Sequence, residues 1–141
     1  MSWTKLHRIT APPVSAISLN EAKDHLRVDL VEEDSLIQRL THAATGMVEG
    51  PHGVGLALVE QQWELSLDYW PAVIDLPLYP VQSVDSITYV DGDGNSQTLS
   101  NFQAAVNRNP ATIAPAVDER WPNARDQLEA ITVTFTAGYA K

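Results

Sequence analysis

The sequence predicts an α+β fold, with an N-terminal helical hairpin followed by a small antiparallel β-rich subdomain. Three observations carry this expectation. Leu36, Ile37, Leu40, Ala43, Ala44, Met47 and Val48 recur at the three-to-four spacing of one helical face. From Val59 the period changes to two: Val59, Gln61, Trp63, Leu65 and Leu67 fall on one side, and Glu60, Gln62, Glu64, Ser66 and Asp68 on the other. The helical signals precede the strand signals, an order that belongs to α+β rather than to alternating layers. At 141 residues and 44% hydrophobic content the chain can bury a core as one domain. It divides into an extended arm (1–17), a helical hairpin (18–50), a β-rich subdomain (51–137) and a tail (138–141).

Taken in order, residues 1–17 hold Pro12-Pro13 and little periodicity, so an extended arm is expected, with Trp3, Leu6 and Ile9 apolar enough to dock. Ser18 and Glu21 form a Ser-x-x-Glu capping box, which starts a helix with Leu19, Ala22 and Leu26 as its buried stripe. Residues 28–31 break it. Glu32-Glu33-Asp34 then supplies negative charge at the positive end of a second helix, which stops at Gly50-Pro51. Its stripe narrows at Ala43-Ala44, where another helix can approach closely.

The alternating run from Val59 to Asp68 is a half-buried strand that ends at the Tyr69-Trp70-Pro71 corner. A short strand at 73–76 precedes Pro77 and Pro80, which suit an edge or a crossing. Residues 84–90 and 97–99 are strands joined by Asp91-Gly92-Asp93-Gly94-Asn95, a tight hairpin turn. Another short strand is expected at 102–106, a turn at 107–109, and a loop or short helix at 115–125. Ile131, Val133 and Phe135 alternate with threonines in a closing strand. Trp63, Leu65, Ile87, Tyr89, Val133 and Phe135 are the predicted core of the β part.

Composition narrows the function. The net charge is −9, and residues 40–107 hold no Lys or Arg against eight acidic residues: Glu49, Glu60, Glu64, Asp68, Asp75, Asp85, Asp91 and Asp93. A free-standing nucleic-acid binder needs clustered cations, and this chain has none. Zero cysteines exclude disulfides and thiolate chemistry. No run approaches the ~20 apolar residues of a membrane helix, and Met1-Ser2-Trp3-Thr4-Lys5 is not a secretory signal, so a soluble protein of the cytoplasm, or of an assembly made there, is expected. Asp91, Asp93 and Asn95 match the first calcium-ligand positions of an EF-hand loop. The sixth position is Ser96 rather than Gly and the twelfth is Phe102 rather than Glu, so the hairpin turn is preferred. His7, His25, His42 and His52 have no metal-binding spacing, and neither a nucleophile elbow nor a phosphate loop occurs. No enzyme and no cofactor is expected.

Several blocks, weak singly, together resemble the head–tail connector (adaptor) proteins of long-tailed double-stranded DNA phages, prophages and gene-transfer particles. They are Ser18-Leu19-Asn20-Glu21-Ala22-Lys23 with His25-Leu26-Arg27-Val28, Asp34-Ser35-Leu36-Ile37, Gln62-Trp63, Leu67-Asp68, Trp70-Pro71, Leu76-Pro77, Pro80-Val81, Ile87-Thr88-Tyr89-Val90-Asp91, Trp121-Pro122, and Val133-Thr134-Phe135-Thr136-Ala137-Gly138-Tyr139. The resemblance covers about residues 16–139. It breaks at Gly50-Pro51-His52-Gly53-Val54-Gly55, where relatives carry a more helical segment, so the end of the long helix is open.

The resemblance implies a virion neck protein, assembled in the host cytoplasm. It would form a homo-oligomeric ring of twelve copies under the portal protein, join it to a head-closure or tail-completion protein, and let DNA pass without sequence-specific binding. On that reading Leu36, Leu40, Ala43 and Met47 form the subunit interface, Gly138, Tyr139 and Lys141 touch the portal, and Glu60, Glu64 and Asp68 face the channel. Removal of residues 137–141 is then expected to spare the fold. The alternative is a monomeric interaction module, with calcium at residues 91–95 or a small ligand beside Trp63 and Trp70.

Overall fold

The computed structural model describes residues 5–51 and 53–140. Its elements run β1 (Lys5–Thr10), α1 (Leu19–Leu26), α2 (Asp34–Val48), β2 (Gln61–Leu67), β3 (Ile74–Leu76), β4 (Val81–Val90), β5 (Ser96–Leu99), β6 (Phe102–Ala105), β7 (Ala111–Pro115) and β8 (Ile131–Ala137). One sheet has the order β1-β2-β8-β4-β5 and a second β3-β7-β6, with every pairing antiparallel. The α+β class and the hairpin-then-sheet order hold, with one strand ahead of the helices.

That strand corrects the extended arm. β1 pairs with β2, Leu6 opposite Leu65 and His7 opposite Glu64. Without β1 the outer edge of β2 would present a row of unpaired amides and carbonyls. Residues 11–17 remain irregular, as two successive prolines require. The β-rich part therefore draws its edge strand from outside the 51–137 segment.

The period-two pattern becomes three cross-strand rows on the inner face. Trp63, Phe135 and Val84 form one, Leu65, Val133 and Ile87 the next, and Leu67, Ile131 and Tyr89 the third. Ile74, Leu76, Leu78, Ala111 and Ile113 close the same core from the second sheet and its flanks. Burying each large side chain of this kind contributes roughly 1.5–3 kcal/mol. Five of the six predicted core residues are buried, and Tyr89 packs against the core half-covered. β7 was not predicted, and it supplies Ile113 to this core. β4 begins at Val81, three residues before the expected start, directly after a cis Tyr79-Pro80 bond.

The predicted buried stripe on α1 is overturned. No residue of α1 is buried, and Leu26 is 55% exposed. α1 lies against α2, away from the core, and so has too little surface against it to cover Leu19, Ala22 and Leu26. The capping box itself is present: Ser18 Oγ accepts from the Glu21 amide at 3.1 Å, and Glu21 Oε2 accepts from the Ser18 amide at 2.9 Å.

Candidate functional site

α2 carries its apolar residues without burying them. Only Ile37 is buried, while Leu36, Leu40 and Met47 are 44%, 60% and 76% exposed. At 3.6 residues per turn Leu36, Leu40, Ala43 and Met47 project within an arc of about 60°, a continuous exposed ridge made of the four residues picked out as an interface from sequence. Beside it, between α1 and α2, lies an open groove of ≈ 490 Å³ lined by Ala22, Leu26, Leu40, Ala44, Val48 and Leu58 among others. An ion pair, Lys23 Nζ to Asp34 Oδ1 at 2.7 Å, ties the two helices at their connected ends. Sequence reasoning missed the groove. Ile17 and Leu58, which help line it, stand outside either helix and carried no periodic signal.

A part-buried polar chain ties the hairpin to the sheet. Glu49, just past α2, accepts from the Leu58 amide at 2.8 Å and from Gln61 Nε2 at 3.0 Å, and Gln61 Oε1 accepts from Trp63 Nε1 at 3.0 Å. Gly50, at φ +79, brings the backbone against the Trp63 ring, where an added Cβ would sit 3.6 Å from Cη2. The long helix thus ends at Val48, and Glu49 just past it is tied to Leu58 and Gln61.

The C-terminal residues form no free tail. Ala137 is fully buried at the end of β8, and Gly138, also buried, donates its amide to the Pro80 carbonyl at 2.8 Å. Tyr139 exchanges backbone hydrogen bonds with residues 58 and 60, and its side chain is 55% exposed. Lys141 lies outside the described residues. Deletion of residues 137–141 would therefore damage the sheet, contrary to expectation; Tyr139 is the predicted contact with an accessible side chain.

Glu60, Glu64 and Asp68 share the outer side of the β2 segment but differ in setting. Glu60 is exposed, Glu64 faces His7 Nε2 at 3.9 Å, and Asp68 Oδ1 accepts from the Glu129 amide at 2.8 Å. The surrounding outer face is rich in hydroxyls and amides rather than in acids, with Ser83, Ser86, Thr88, Thr132, Thr134 and Thr136 in register. At its margin Asp85 accepts from Gln62 at 2.9 Å and from Ser83 and Thr136 at 2.7 Å each. Burial pushes the Asp85 carboxyl up, but the three hydrogen bonds outweigh it and hold the group below its ordinary value.

The turn at 91–95 uses its first aspartate internally. Asp91 Oδ1 accepts from the Asp93 and Asn95 amides at 2.9 and 3.0 Å and Oδ2 from Gln97 at 2.9 Å; the Asn95 amide leads the causes that lower its pKa. These are the bonds of an Asx-type turn. Trp70 is stacked on Trp121 with ring centroids 4.5 Å apart, so protein already covers one of its faces. Trp121 Nε1 in turn donates to the Pro71 carbonyl at 2.6 Å. Among the described residues no helix is long and apolar enough to cross a membrane.

No protein-family model and no curated protein matches the chain. Solved structures do match. Over 97% of its length it aligns with a chain from the neck of an empty gene transfer agent particle computed with C6 symmetry, at TM-score 0.78 and 26% identity, covering 72% of that chain. A chain from the virion of a native gene transfer agent particle gives TM-score 0.78, 27% identity, and coverage of 97% and 73%. A chain from the neck of a native particle computed with C12 symmetry gives 0.69, 25%, and coverage of 97% and 71%. In fold, and at 25% to 27% of aligned positions, the chain is similar to neck and virion chains of gene transfer agents, phage-like particles of the kind to which its residue pattern pointed.

Proposed function

We propose that this protein is a structural head–tail connector of a tailed phage or gene-transfer particle, positioned in the particle neck. The observation that carries the reading is the match over 97% of this chain and 72% of a gene transfer agent neck chain at TM-score 0.78. Its role is to assemble rather than to catalyse. Twelve copies form a ring beneath the portal protein, join it to the next neck or tail component, and leave a passage for DNA.

The exposed α2 ridge supports the ring. A monomer that leaves Leu40 and Met47 in water forgoes apolar burial that a neighbouring subunit would recover. Tyr139 supplies the portal contact from the rim formed by residues 58–60 and 138–140, and Lys141, outside the described residues, shares that role. Glu60, Glu64 and Asp68 turn the outer face of β2 towards the channel, where negative charge keeps DNA from sticking over about one Debye length, ~10 Å. The direct test is electron microscopy of the protein mixed with purified portal assemblies. Twelve-fold rings on the portal are expected, and a protein that stays dispersed beside bare portals would count against the whole reading.

A further inference from the structure

The α2 ridge and the α1–α2 groove are adjoining apolar surfaces of opposite form on one small hairpin. Leu36, Leu40, Ala43 and Met47 make a convex strip, and the groove turns a concave face of ≈ 490 Å³ outward beside it. A two-fold dimer buries one patch against its own copy, whereas a closed ring needs two different patches that fit each other head to tail. Small residues occur on both sides, Ala43 on the ridge and Ala22 and Ala44 in the groove, so helix axes can approach to the ~8–10 Å of ridges-into-grooves packing.

We infer that the groove is the docking site for the α2 ridge of the next copy, so that each subunit inserts Leu36, Ala43 and Met47 between α1 and α2 of its neighbour. The inference rests on the ring reading and specifies the two faces that meet. Two of the structural neighbours come from particle necks computed with C6 and C12 symmetry, and cyclic symmetry calls for a contact that joins two different faces of successive copies. Leu40 belongs to both surfaces, since it lies on the ridge and lines the groove of its own chain. One substitution there touches both halves of the contact.

The absence of native cysteine makes the test clean. Ala43→Cys marks the ridge and Ala22→Cys the groove, and both sites are accessible enough for the variants to melt with the wild type. Under mild oxidation, with portal present to nucleate assembly, the double variant should give a ladder of covalent multimers. Each single variant should stay at one-chain mass, and a mixture of the two should stop at dimers. Adding Leu40→Asp should reduce the ladder by at least tenfold, equivalent to ~1.4 kcal/mol per contact, without moving the melting temperature. Self-linking of Ala43→Cys alone would show a two-fold contact and overturn the inference, as would rings seen by microscopy that yield no ladder. Failure to form any ring would instead remove the connector reading, and this inference with it.

Discussion

Gly138 and Tyr139 are adjacent, yet substitutions at the two should fail in opposite ways. Gly138 sits at φ +108, and a Cβ there would run into the Val59 carbonyl. A side chain at such a backbone angle costs about 1–3 kcal/mol. Moving the strand aside would also strain the Gly138–Pro80 bond at 2.8 Å, the Gln82 bond to the Gly138 carbonyl at 2.5 Å and the Tyr139 bonds at 3.0 and 3.2 Å. At roughly 0.5–1.5 kcal/mol per bond lost, Gly138→Ala should destabilise the protein by about 3 kcal/mol. For a chain of this size that lowers the melting temperature by about 6–12 °C. Tyr139→Ala removes a side chain that is 55% exposed and leaves the backbone bonds in place, so it should cost under about 1 kcal/mol while abolishing capture by portal. Calorimetry and a portal pull-down on both variants separate the two effects. A Gly138→Ala protein that melts with the wild type refutes the locked-turn argument, and a Tyr139→Ala protein that is captured normally removes the portal role.

Glu49→Ala should cost about 1–3 kcal/mol, because it strands the Leu58 amide and part of the Gln61 amide in a half-buried junction; the denaturant midpoint should fall, whereas an unchanged midpoint would show that water replaces the carboxylate at no cost. Asp85 has a folded-state pKa below its ordinary value of 3.8, so its contribution is present in full above the unfolded value and is lost as the pH falls through the folded one. Asp85→Asn should therefore flatten the loss of stability below about pH 4 in urea titrations, and identical acid limbs for variant and wild type would contradict this. Replacing Glu60, Glu64 and Asp68 together by Lys should leave ring formation intact and impair genome passage, and undiminished particle infectivity or transfer would exclude a channel role.

The elements legible in the sequence were those whose side chains obey one period in one environment. β2 and β8 alternate because one face meets the core and the other, buried Ser66 apart, is left partly exposed, and the 91–95 turn declares itself through glycines and aspartates. α2 was legible as a helix, but the use of its stripe was not: the same spacing serves a core face or an unpartnered one, and only the placement of the hairpin away from the sandwich decides. β1 was hidden because Lys5-Leu6-His7-Arg8-Ile9-Thr10 lies at an edge, where little is buried to enforce alternation. β7 is five residues framed by prolines, too short for a pattern. The Glu49–Gln61–Trp63 chain and the groove join residues from separate elements, so neither leaves a local mark. The ridge residues could be chosen from spacing alone because apolar side chains repeat on a helix whether a core or a neighbour is to cover them, and spacing does not say which.

The placement of the indoles gives the protein two optical reporters that answer to different events. Trp63, hydrogen-bonded to Gln61 and pressed against Gly50, sits where the hairpin joins the sheet, so its emission tracks any shift of α2. Trp70 and Trp121 lie face to face with only 8° between their planes, beside Tyr89, in the part of the fold that closes β2 and β4 away from the helices. Exchange of Trp3 and both stacked indoles for phenylalanine leaves the junction signal to be read in isolation. Assembly through the helices can then be followed by intrinsic fluorescence in real time, without attaching a dye to a surface that has to dock.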